Sequence, residues 1–273
     1  MRLDRAVYAR ALARSRSHAQ ELIAQSAILV DGEPETKPSR IVSDDSVIAC
    51  ASAADHYVSR AAHKLIGALD AFALLGLEVE GRRALDVGAS TGGFTQVLLE
   101  RGAAHVTAID VGRGQMSPVI AADTRVVAIE GLNVRDMEPG SPGTDADLVV
   151  ADLSFISLTL AMPALRAVAA DHADFVLMVK PQFEVGKTGL DKHGVVVSST
   201  LRAQAVAGVC ASSQREGLVV RALECSPLPG PRGNVEFFVW VAQAWQSRGA
   251  AQEHVLAGRA LGDAIATLVE GNP

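Results

Sequence analysis

In Ala84-Leu-Asp-Val-Gly-Ala-Ser-Thr-Gly-Gly-Phe94, an apolar strand pattern runs into a glycine-rich loop and the start of a helix. A loop of this kind presents bare backbone N–H groups to a ligand at the helix N-terminus. Because the glycine spacing is not G-x-G-x-x-G, a dinucleotide with a pyrophosphate is the weaker interpretation. The segment therefore predicts a ligand site where a strand of an α/β sheet ends.

Two acidic residues narrow the class of ligand. Asp86 lies inside the strand pattern, and Asp110 ends the next apolar run, Val106-Thr-Ala-Ile-Asp110. Asp110 follows Gly88 by 22 positions, which is close to the spacing at which a carboxylate meets a ribose diol. The pattern favours a nucleoside-like ligand without a pyrophosphate, and S-adenosylmethionine is the obvious candidate.

Length and composition exclude several classes of protein. The 273 residues suffice for one domain of about 200 residues plus a small one, and 49% hydrophobic residues supply a large core. Three scattered cysteines argue against a disulfide framework or a zinc site, so we expect no metal and a reducing cytoplasm. We also expect no signal peptide and no membrane span, since no apolar run reaches about 18 residues.

The charge is distributed unevenly along the chain. The net charge is −6, yet in the first 20 residues five arginines stand against a single acid, Asp4. These arginines are Arg2, Arg5, Arg10, Arg14 and Arg16. An acidic body with a basic end suggests an appendage that binds a polyanion. A solvated helical face is the alternative explanation for the arginines.

Residues 1–48 have the pattern of a small α+β domain. Two helices are predicted from apolar spacing, and Ser15 or Ser17 is a candidate cap for the second. The strand 28–30 is followed by the tight turn Asp31-Gly32, and residues 41–42 and 47–48 are short strand segments. Residues 49–58, rich in small side chains, are assigned to a linker.

Residues 59–273 alternate between strand and helix patterns, which predicts an α/β fold with a doubly wound, Rossmann-like parallel sheet. An antiparallel pair of strands is expected at the sheet edge, and a helix is expected in the tail. The predicted strands are 84–88, 106–110, 126–129, 148–152, 175–180, 218–223 and 235–241. One predicted helix begins at residue 59, and three others cover residues 92–101, 158–170 and 253–269.

Four charged residues stand out in this second part. Asp152 and Lys180 each end an apolar run, so both lie at strand ends beside the expected cleft, where a partly desolvated lysine can act as a base. Glu236 lies within an apolar run, where a carboxylate is costly unless paired. Lys64 lies among small and apolar residues. Structural ion pairs, and for Lys64 a solvated helix surface, are the alternatives.

The N-terminal part resembles the S4 RNA-binding domain. The resemblance rests on Arg2-Leu-Asp4, Ala13-Arg-Ser-Arg16, Ile28-Leu-Val-Asp-Gly32 and Lys37-Pro-Ser39. It covers nearly all of residues 1–48. It implies RNA contacts, for which our candidates are Arg2, Arg5, Arg10, Arg14, Ser15, Arg16, Lys37 and, beyond this domain, Arg60.

The remainder resembles the 2′-O-ribose RNA methyltransferases related to FtsJ, a Rossmann-like methyltransferase fold. In that family a Lys–Asp–Lys–Glu tetrad is catalytic, and Lys64, Asp152, Lys180 and Glu236 occupy the matching places in order. Joined to the S4-like part, the chain resembles the TlyA family of ribosomal RNA methyltransferases, some of whose members are named haemolysins. The resemblance implies methylation of cytidine 2′-hydroxyls in 16S and 23S ribosomal RNA, with ribosomal RNA or ribosomal subunits as partners of a monomer.

For S-adenosylmethionine, we expect Gly88, Ala89, Ser90 and Gly92 to wrap the methionine part and Asp110 to bind the ribose. Asn133 follows the third strand and lies near the adenine, or is a turn residue. The full set of candidate cofactor contacts is Asp86, Gly88, Ala89, Ser90, Thr91, Gly92, Gly93, Phe94, Asp110, Asn133 and Asp152.

Three other classes of function stay open at this point. The same fold suits a nicotinamide-dependent oxidoreductase, although the missing G-x-G-x-x-G counts against it. A membrane-lytic protein is suggested only by the haemolysin names. A non-catalytic ribosome-assembly factor would need the S4-like part but not the four charged residues.

Overall fold

The computed structural model describes residues 1–10, 12–13, 15–24, 27–43, 45–50, 56–230, 232–243 and 255–272. The chain divides into two units, a small unit of Met1–His56 and a large unit of Tyr57–Pro273.

In the small unit, two helices pack on a three-stranded antiparallel sheet. The elements are α1 (Leu3–Ala9), α2 (Arg16–Ala24), β1 (Ile28–Val30), β2 (Glu33–Glu35) and β3 (Ile48–Cys50), and the sheet order is β2-β1-β3. The predicted turn joins β1 to β2, with φ of 55° at Asp31 and 89° at Gly32, as a two-residue hairpin turn requires. Buried aliphatic residues from both helices and β1 form the core.

The later strand segments of this unit differ from the prediction. Ile41 makes only an isolated bridge to Arg2, and no strand forms at 41–42. The β3 strand begins at Ile48 and continues through Cys50, and all three of its residues pair with β1. It therefore overlaps the start of the segment that we assign to the linker. Ala11 and Arg14, and residues 51–55 of the linker, lie outside the described residues.

The large unit is built on a seven-stranded sheet. Its strands are β4 (Arg83–Val87), β5 (His105–Asp110), β6 (Val126–Glu130), β7 (Ala146–Ala151), β8 (Ala169–Val179), β9 (Leu218–Cys225) and β10 (Phe237–Gln243). Their order is β6-β5-β4-β7-β8-β10-β9; the first five are parallel, and β10 is antiparallel to both of its neighbours, β8 and β9. The sheet confirms the predicted fold class and the antiparallel pair at its edge.

Helices cover both faces of this sheet. They are α3 (Ala61–Ala73), α4 (Gly93–Glu100), α5 (Pro118–Ala121), α6 (Leu158–Val168), α7 (Pro181–Glu184), α8 (Ser199–Arg215) and α9 (Gly258–Glu270). Adjacent residues of β10 point to opposite faces, so Phe237 belongs to the core under α6, α8 and α9 and Phe238 to the core under α3 and α4. Each face of the sheet therefore has its own hydrophobic core.

The structure differs from the prediction in this unit at α8, β8 and β10, among other places. The 17-residue helix α8 was not predicted, because its small and polar residues leave no clear apolar stripe and even Arg202 is buried. The β8 strand begins at Ala169, six residues before the predicted 175, in a stretch without an apolar run. The β10 strand begins at Phe237, so Glu236 precedes the strand and does not lie within it.

Candidate active site

The glycine loop follows β4 and permits a close approach of backbones. Gly88 has φ of +84°, and a Cβ built there would lie 2.5 Å from the Asp152 carbonyl oxygen. Gly92 has φ of +93° and precedes α4, where a Cβ would meet the Met116 sulfur at 2.7 Å. Because only glycine fits both positions, the loop requires them for its shape.

Asp110, the last residue of β5, is held by two backbone N–H groups. Ser90 N donates to its Oδ2 at 2.8 Å, and Gly112 N donates to its Oδ1 at 2.6 Å. A carboxylate can accept about four hydrogen bonds. Asp110 is therefore fixed in position and can still accept from the hydroxyls of a ligand.

A cleft of about 1040 Å³ opens at the carboxyl ends of β4, β5 and β7. Nine of the predicted cofactor residues line it: Gly88, Ala89, Ser90, Thr91, Gly93, Phe94, Asp110, Asn133 and Asp152. Apolar side chains of Ile109, Leu132 and Val134 line it as well. Asp86 and Gly92 do not line the cleft. They can therefore affect a ligand only indirectly, by shaping the glycine loop.

Asn133 has the turn role that we considered as an alternative. Its Oδ1 accepts a hydrogen bond from Arg135 N at 3.1 Å and so caps the 3₁₀ helix Val134–Asp136. It also lines the cleft. A contact between Asn133 and a ligand stays a prediction.

Asp86 is completely buried behind the loop. Thr95 Oγ1 donates to its Oδ2 at 2.6 Å, whereas its Oδ1 has no hydrogen-bond partner among the described residues. Burial raises the pKa of the Asp86 carboxyl to about 7; the Thr95 hydroxyl opposes this, and the nearby charge of Asp152 adds to it. Asp86 therefore titrates near neutral pH.

The four charged residues that the sequence singled out form two buried ion pairs. Lys180, directly after β8, has its Nζ 2.5 Å from Asp152 Oδ1, directly after β7, and donates to Ser154 Oγ at 2.9 Å. Lys64, on α3, donates from its Nζ to Glu236 Oε2 at 2.5 Å. Burial raises the pKa of Asp152, and the Lys180 charge, followed by that of Lys64, opposes the rise. The two pairs therefore act on one another.

Only Asp152 of the four lines the cleft. Lys180 lies behind Asp152 and Ser154, and Glu236 lies behind Gln182, whose Nε2 donates to Glu236 Oε1 at 3.3 Å. Sequence reasoning missed both Ser154 and Gln182. Their positions were the available signal, because each lies two residues after a tetrad residue at a strand end.

Glu184, at the end of α7, was also missed. Its Oε2 accepts from Ser157 Oγ at 2.5 Å and its Oε1 accepts from Leu158 N at 2.7 Å, at the start of α6. Burial raises the pKa of Glu184, and the hydrogen bonds from Ser157 and Leu158 oppose the rise. Glu184 therefore joins α7, which directly follows Lys180, to the segment between Asp152 and α6.

The rim of the cleft carries an exposed aromatic residue. Phe155 is 92% exposed, has φ of +66° and lies with its ring centroid 5.3 Å from that of Phe183. A positive φ is unfavourable for a side chain of this size. The local structure thus holds an apolar ring in solvent at the mouth of the cleft.

In the small unit, two of the predicted RNA-binding residues meet at one carboxylate. Asp4 is fully buried and accepts hydrogen bonds from both Arg2 and Arg16. Ser15 accepts from His18 N and so caps α2, as predicted. Arg10 donates to the Ser46 carbonyl. The exposed side chains of Arg5 and Lys37 are not part of this cluster, and Arg14 lies outside the described residues.

Arg60 belongs to the large unit and lines its cleft, where its Nη2 donates to the Pro229 carbonyl at 2.5 Å. It is therefore placed to act at the cleft. Within the described ranges, the chain has no helix that is both long enough and apolar enough to cross a membrane.

Comparison with known proteins agrees with this geometry. An FtsJ-like methyltransferase model matches residues 57–243, and an S4 domain model matches residues 1–48. The chain is thus an S4-linked methyltransferase of the FtsJ-like family. Within that family it belongs to the TlyA group, as the following relatives show.

The 16S/23S rRNA (cytidine-2′-O)-methyltransferase TlyA of Mycobacterium tuberculosis is 46% identical over 273 residues, covering 100% of this chain and 98% of the relative. Hemolysin A of Brachyspira hyodysenteriae is 34% identical over 238 residues, covering 87% and 98%. A solved structure named a hemolysin, from Streptococcus thermophilus, has a TM-score of 0.73 at 31% identity and covers 99% of this chain and 96% of that one.

Proposed function

We propose that this chain transfers a methyl group from S-adenosylmethionine to the 2′-hydroxyl of cytidine in 16S and 23S ribosomal RNA. The observation that carries the proposal is the convergence of Lys64, Asp152, Lys180 and Glu236 beside the cleft that the glycine loop lines. The names of the TlyA relatives supply the nucleotide and the RNA. Such a substrate is found in the cytoplasm, as the cysteine pattern predicts.

The cleft fits S-adenosylmethionine by the chemistry of its groups. The tight loop at Gly88 would admit the methionine part, Asp110 would accept from the ribose hydroxyls, and the apolar wall of Ile109, Leu132 and Val134 would pack on the adenine. Asn133 is placed on the same wall. When bound, S-adenosylmethionine supplies an electrophilic methyl group.

The protein must then position the ribose hydroxyl and remove its proton. We assign that proton to Lys180, which is next to the cleft wall and is oriented by Asp152 and Ser154. To accept the proton, Lys180 must meet the hydroxyl as a neutral amine, and it then becomes an ammonium with three donors. That ammonium is ion-paired with Asp152 and donates to Ser154, and a further donor is available to the ribose oxygen.

Lys64 and Glu236 are assigned a supporting part. Their side chains are almost fully buried and paired with each other, and Gln182 connects Glu236 to the cleft wall. We propose that they set the charge and position of the Lys180–Asp152 pair. A direct contact between Lys64 and the hydroxyl or its phosphate, which the sequence also suggests, would need Lys64 to leave Glu236.

The small unit would bind the RNA through Arg2, Arg5, Arg10, Arg14, Ser15, Arg16 and Lys37, and Arg60 would contribute at the cleft. The exposed ring of Phe155 suits stacking on an unpaired base. The division into an S4 domain at 1–48, a linker at 49–58 and a methyltransferase domain at 59–273 is part of this proposal.

The test is to map ribose methylation on ribosomal RNA from cells with and without this chain. We expect one or more cytidines to carry a 2′-O-methyl group only when the chain is present. An identical methylation map in the two RNAs would overturn the proposal.

A further inference from the structure

Among the described residues of the small unit, Asp4 has the most heavily hydrogen-bonded carboxylate, and its donors come from separate parts of the sequence. Arg2 donates through Nε to Oδ1 and through Nη2 to Oδ2, both at 3.1 Å. Arg16 donates through Nε to Oδ2 at 3.0 Å, and Gln20 Nε2 donates to the same oxygen at 2.9 Å. The Arg5 backbone N–H donates to Oδ1 at 2.9 Å.

Burial differs sharply between the acid and its arginines. The Asp4 side chain is 0% exposed, whereas Arg2 and Arg16 keep 40% and 46% of their side-chain surface in solvent. The pKa of Asp4 lies well below its ordinary value, chiefly because Arg2 donates to it, so the carboxylate stays charged. Each guanidinium thus binds Asp4 through its inner edge and presents its remaining N–H groups outward.

The backbone fixes where these side chains begin. Arg2 directly precedes α1 and Arg16 is the first residue of α2, so both arginines start from helix ends that pack against each other. A guanidinium loses considerable rotamer freedom when it binds a phosphate. A guanidinium already held by a buried acid has lost part of that freedom before the RNA arrives.

We propose that Asp4 is a positioning residue that holds Arg2 and Arg16 in the orientation in which they bind RNA phosphates. The inference rests on the proposed RNA-binding function of the small unit. It assigns Asp4 a role opposite to the one that its charge alone suggests, because a negative charge near a phosphate is by itself repulsive.

That contrast in sign makes the inference testable with Asp4→Asn in the full chain, using a 23S ribosomal RNA transcript as the probe. Asparagine removes the negative charge and turns one acceptor into a donor that faces other donors. If Asp4 positions the arginines, D4N weakens RNA binding by about tenfold. If Asp4 merely offsets positive charge, D4N strengthens binding, and the inference is overturned.

Asp31→Asn is the matched control. Asp31 lies in the same unit, undergoes the same change of charge, and accepts from Val47 N through an oxygen that asparagine also has. Its φ of 55° is one that asparagine tolerates. D31N should bind the RNA as tightly as the wild type or more tightly.

A double-mutant cycle tests whether Asp4 acts through the arginines. In the R2A/R16A background, D4N should no longer weaken binding. Weakening that persists there would overturn the inference. If R2A/R16A leaves the RNA affinity unchanged, the proposed RNA contact of these two arginines is wrong. If R2A/R16A weakens binding but D4N does not, the arginines bind RNA and only the proposed role of Asp4 is wrong.

A measurement on the wild type keeps the inference testable if D4N fails to fold. In the free protein, the Nε–H signals of Arg2 and Arg16 should exchange with water at least tenfold more slowly than that of the exposed Arg5. Equal exchange rates for the three signals would show that the guanidinium groups are not held before RNA binds, and would overturn the inference.

Discussion

Lys64 Nζ lies 2.5 Å from Glu236 Oε2, although 172 positions separate the two residues in the chain. Both are almost fully buried, at 5% and 1% exposure. A buried ion pair is often no more stabilising than apolar residues of the same volume, whereas one partner left alone is costly. The pair is therefore better explained by its place beside the cleft than by any contribution to stability.

This explanation predicts that stability and activity can be separated at the pair. Lys64→Ala leaves the Glu236 carboxylate buried without its cation. This change should lower the free energy of unfolding by about 3–5 kcal/mol, measured by urea titration. The double variant Lys64→Met/Glu236→Gln removes both charges and should recover most of that loss while remaining inactive. Wild-type methyl transfer by the double variant would show that the pair is structural only.

The glycine loop gives a second prediction. In Gly88→Ala the new Cβ would lie 2.5 Å from the Asp152 carbonyl, so the loop must move and cofactor affinity should fall by about 100-fold or more, as measured by calorimetry. Gly81→Ala is the control, because Gly81 also has positive φ but no atom within 4 Å of the added Cβ. G81A should cost about 1 kcal/mol of stability and bind the cofactor normally. Equal losses of affinity in both variants would contradict the close-approach argument.

Asp86 makes the stability of the cofactor-free protein depend on pH. Its pKa is about 7 in the folded chain and 3.8 ordinarily, so between those values the native state keeps a proton that the unfolded chain has lost. The contribution of Asp86 to stability should therefore fall as the pH rises from about 4 to about 7, by up to about 4 kcal/mol. Asp86→Asn removes this dependence, and its amide oxygen can still accept from Thr95 Oγ1 at every pH.

This prediction is checked by measuring the unfolding free energies of the wild type and D86N at pH 4.5 and pH 8. We expect the variant to gain stability relative to the wild type at pH 8. A difference between the two proteins that is the same at both pH values would mean that Asp86 does not titrate in this window.

Glu184 should affect turnover because it joins α7, which follows Lys180, to the segment that follows Asp152. Glu184→Ala loses the bonds from Ser157 and Leu158, which should let Lys180 shift against Asp152 and lower kcat by about 10–100-fold. Glu184→Gln should restore kcat to within a few-fold, because an amide can accept from Leu158 N and donate to Ser157 Oγ. Cofactor affinity should change little in either variant.

The control is Ser198→Ala, which removes the N-cap of α8. Its expected cost of about 1 kcal/mol in stability should come without a loss of kcat. If S198A loses as much kcat as E184A, then Glu184 affects the enzyme only through stability. If E184Q fails to restore kcat, the hydrogen bonds to Ser157 and Leu158 are not what turnover requires.

The sequence predicts features that depend on residues close together in the chain, and it misses features that depend on contacts between distant residues. Apolar runs predicted most strands of the sheet, and charged residues at the ends of β7 and β8 placed Asp152 and Lys180 correctly, because parallel strands bring their carboxyl ends to one edge. The α8 helix was missed, since its buried face includes Arg202, Ser212 and Ser213 and gives no apolar period. No local pattern connects Lys64 with Glu236; family resemblance alone suggested that pair.

The supporting residues were missed for a related reason. Ser154, Gln182 and Glu184 are uncharged or surface-type residues in sequence, and they gain a role only when neighbouring loops fold against each other. The role of Asp4 was also missed. In the sequence, Asp4 only lowers the net positive charge of the first 20 residues. In the fold it is the acceptor to which Arg2 and Arg16 donate.

The most direct test uses purified chain, ribosomal subunits and a labelled S-adenosylmethionine, followed by digestion of the RNA and mass spectrometry of the nucleosides. The wild type should form 2′-O-methylcytidine, and Lys180→Ala should form none while binding S-adenosylmethionine within a few-fold of the wild type. Formation of 2′-O-methylcytidine by K180A at the wild-type rate would contradict the assignment of the ribose proton to Lys180.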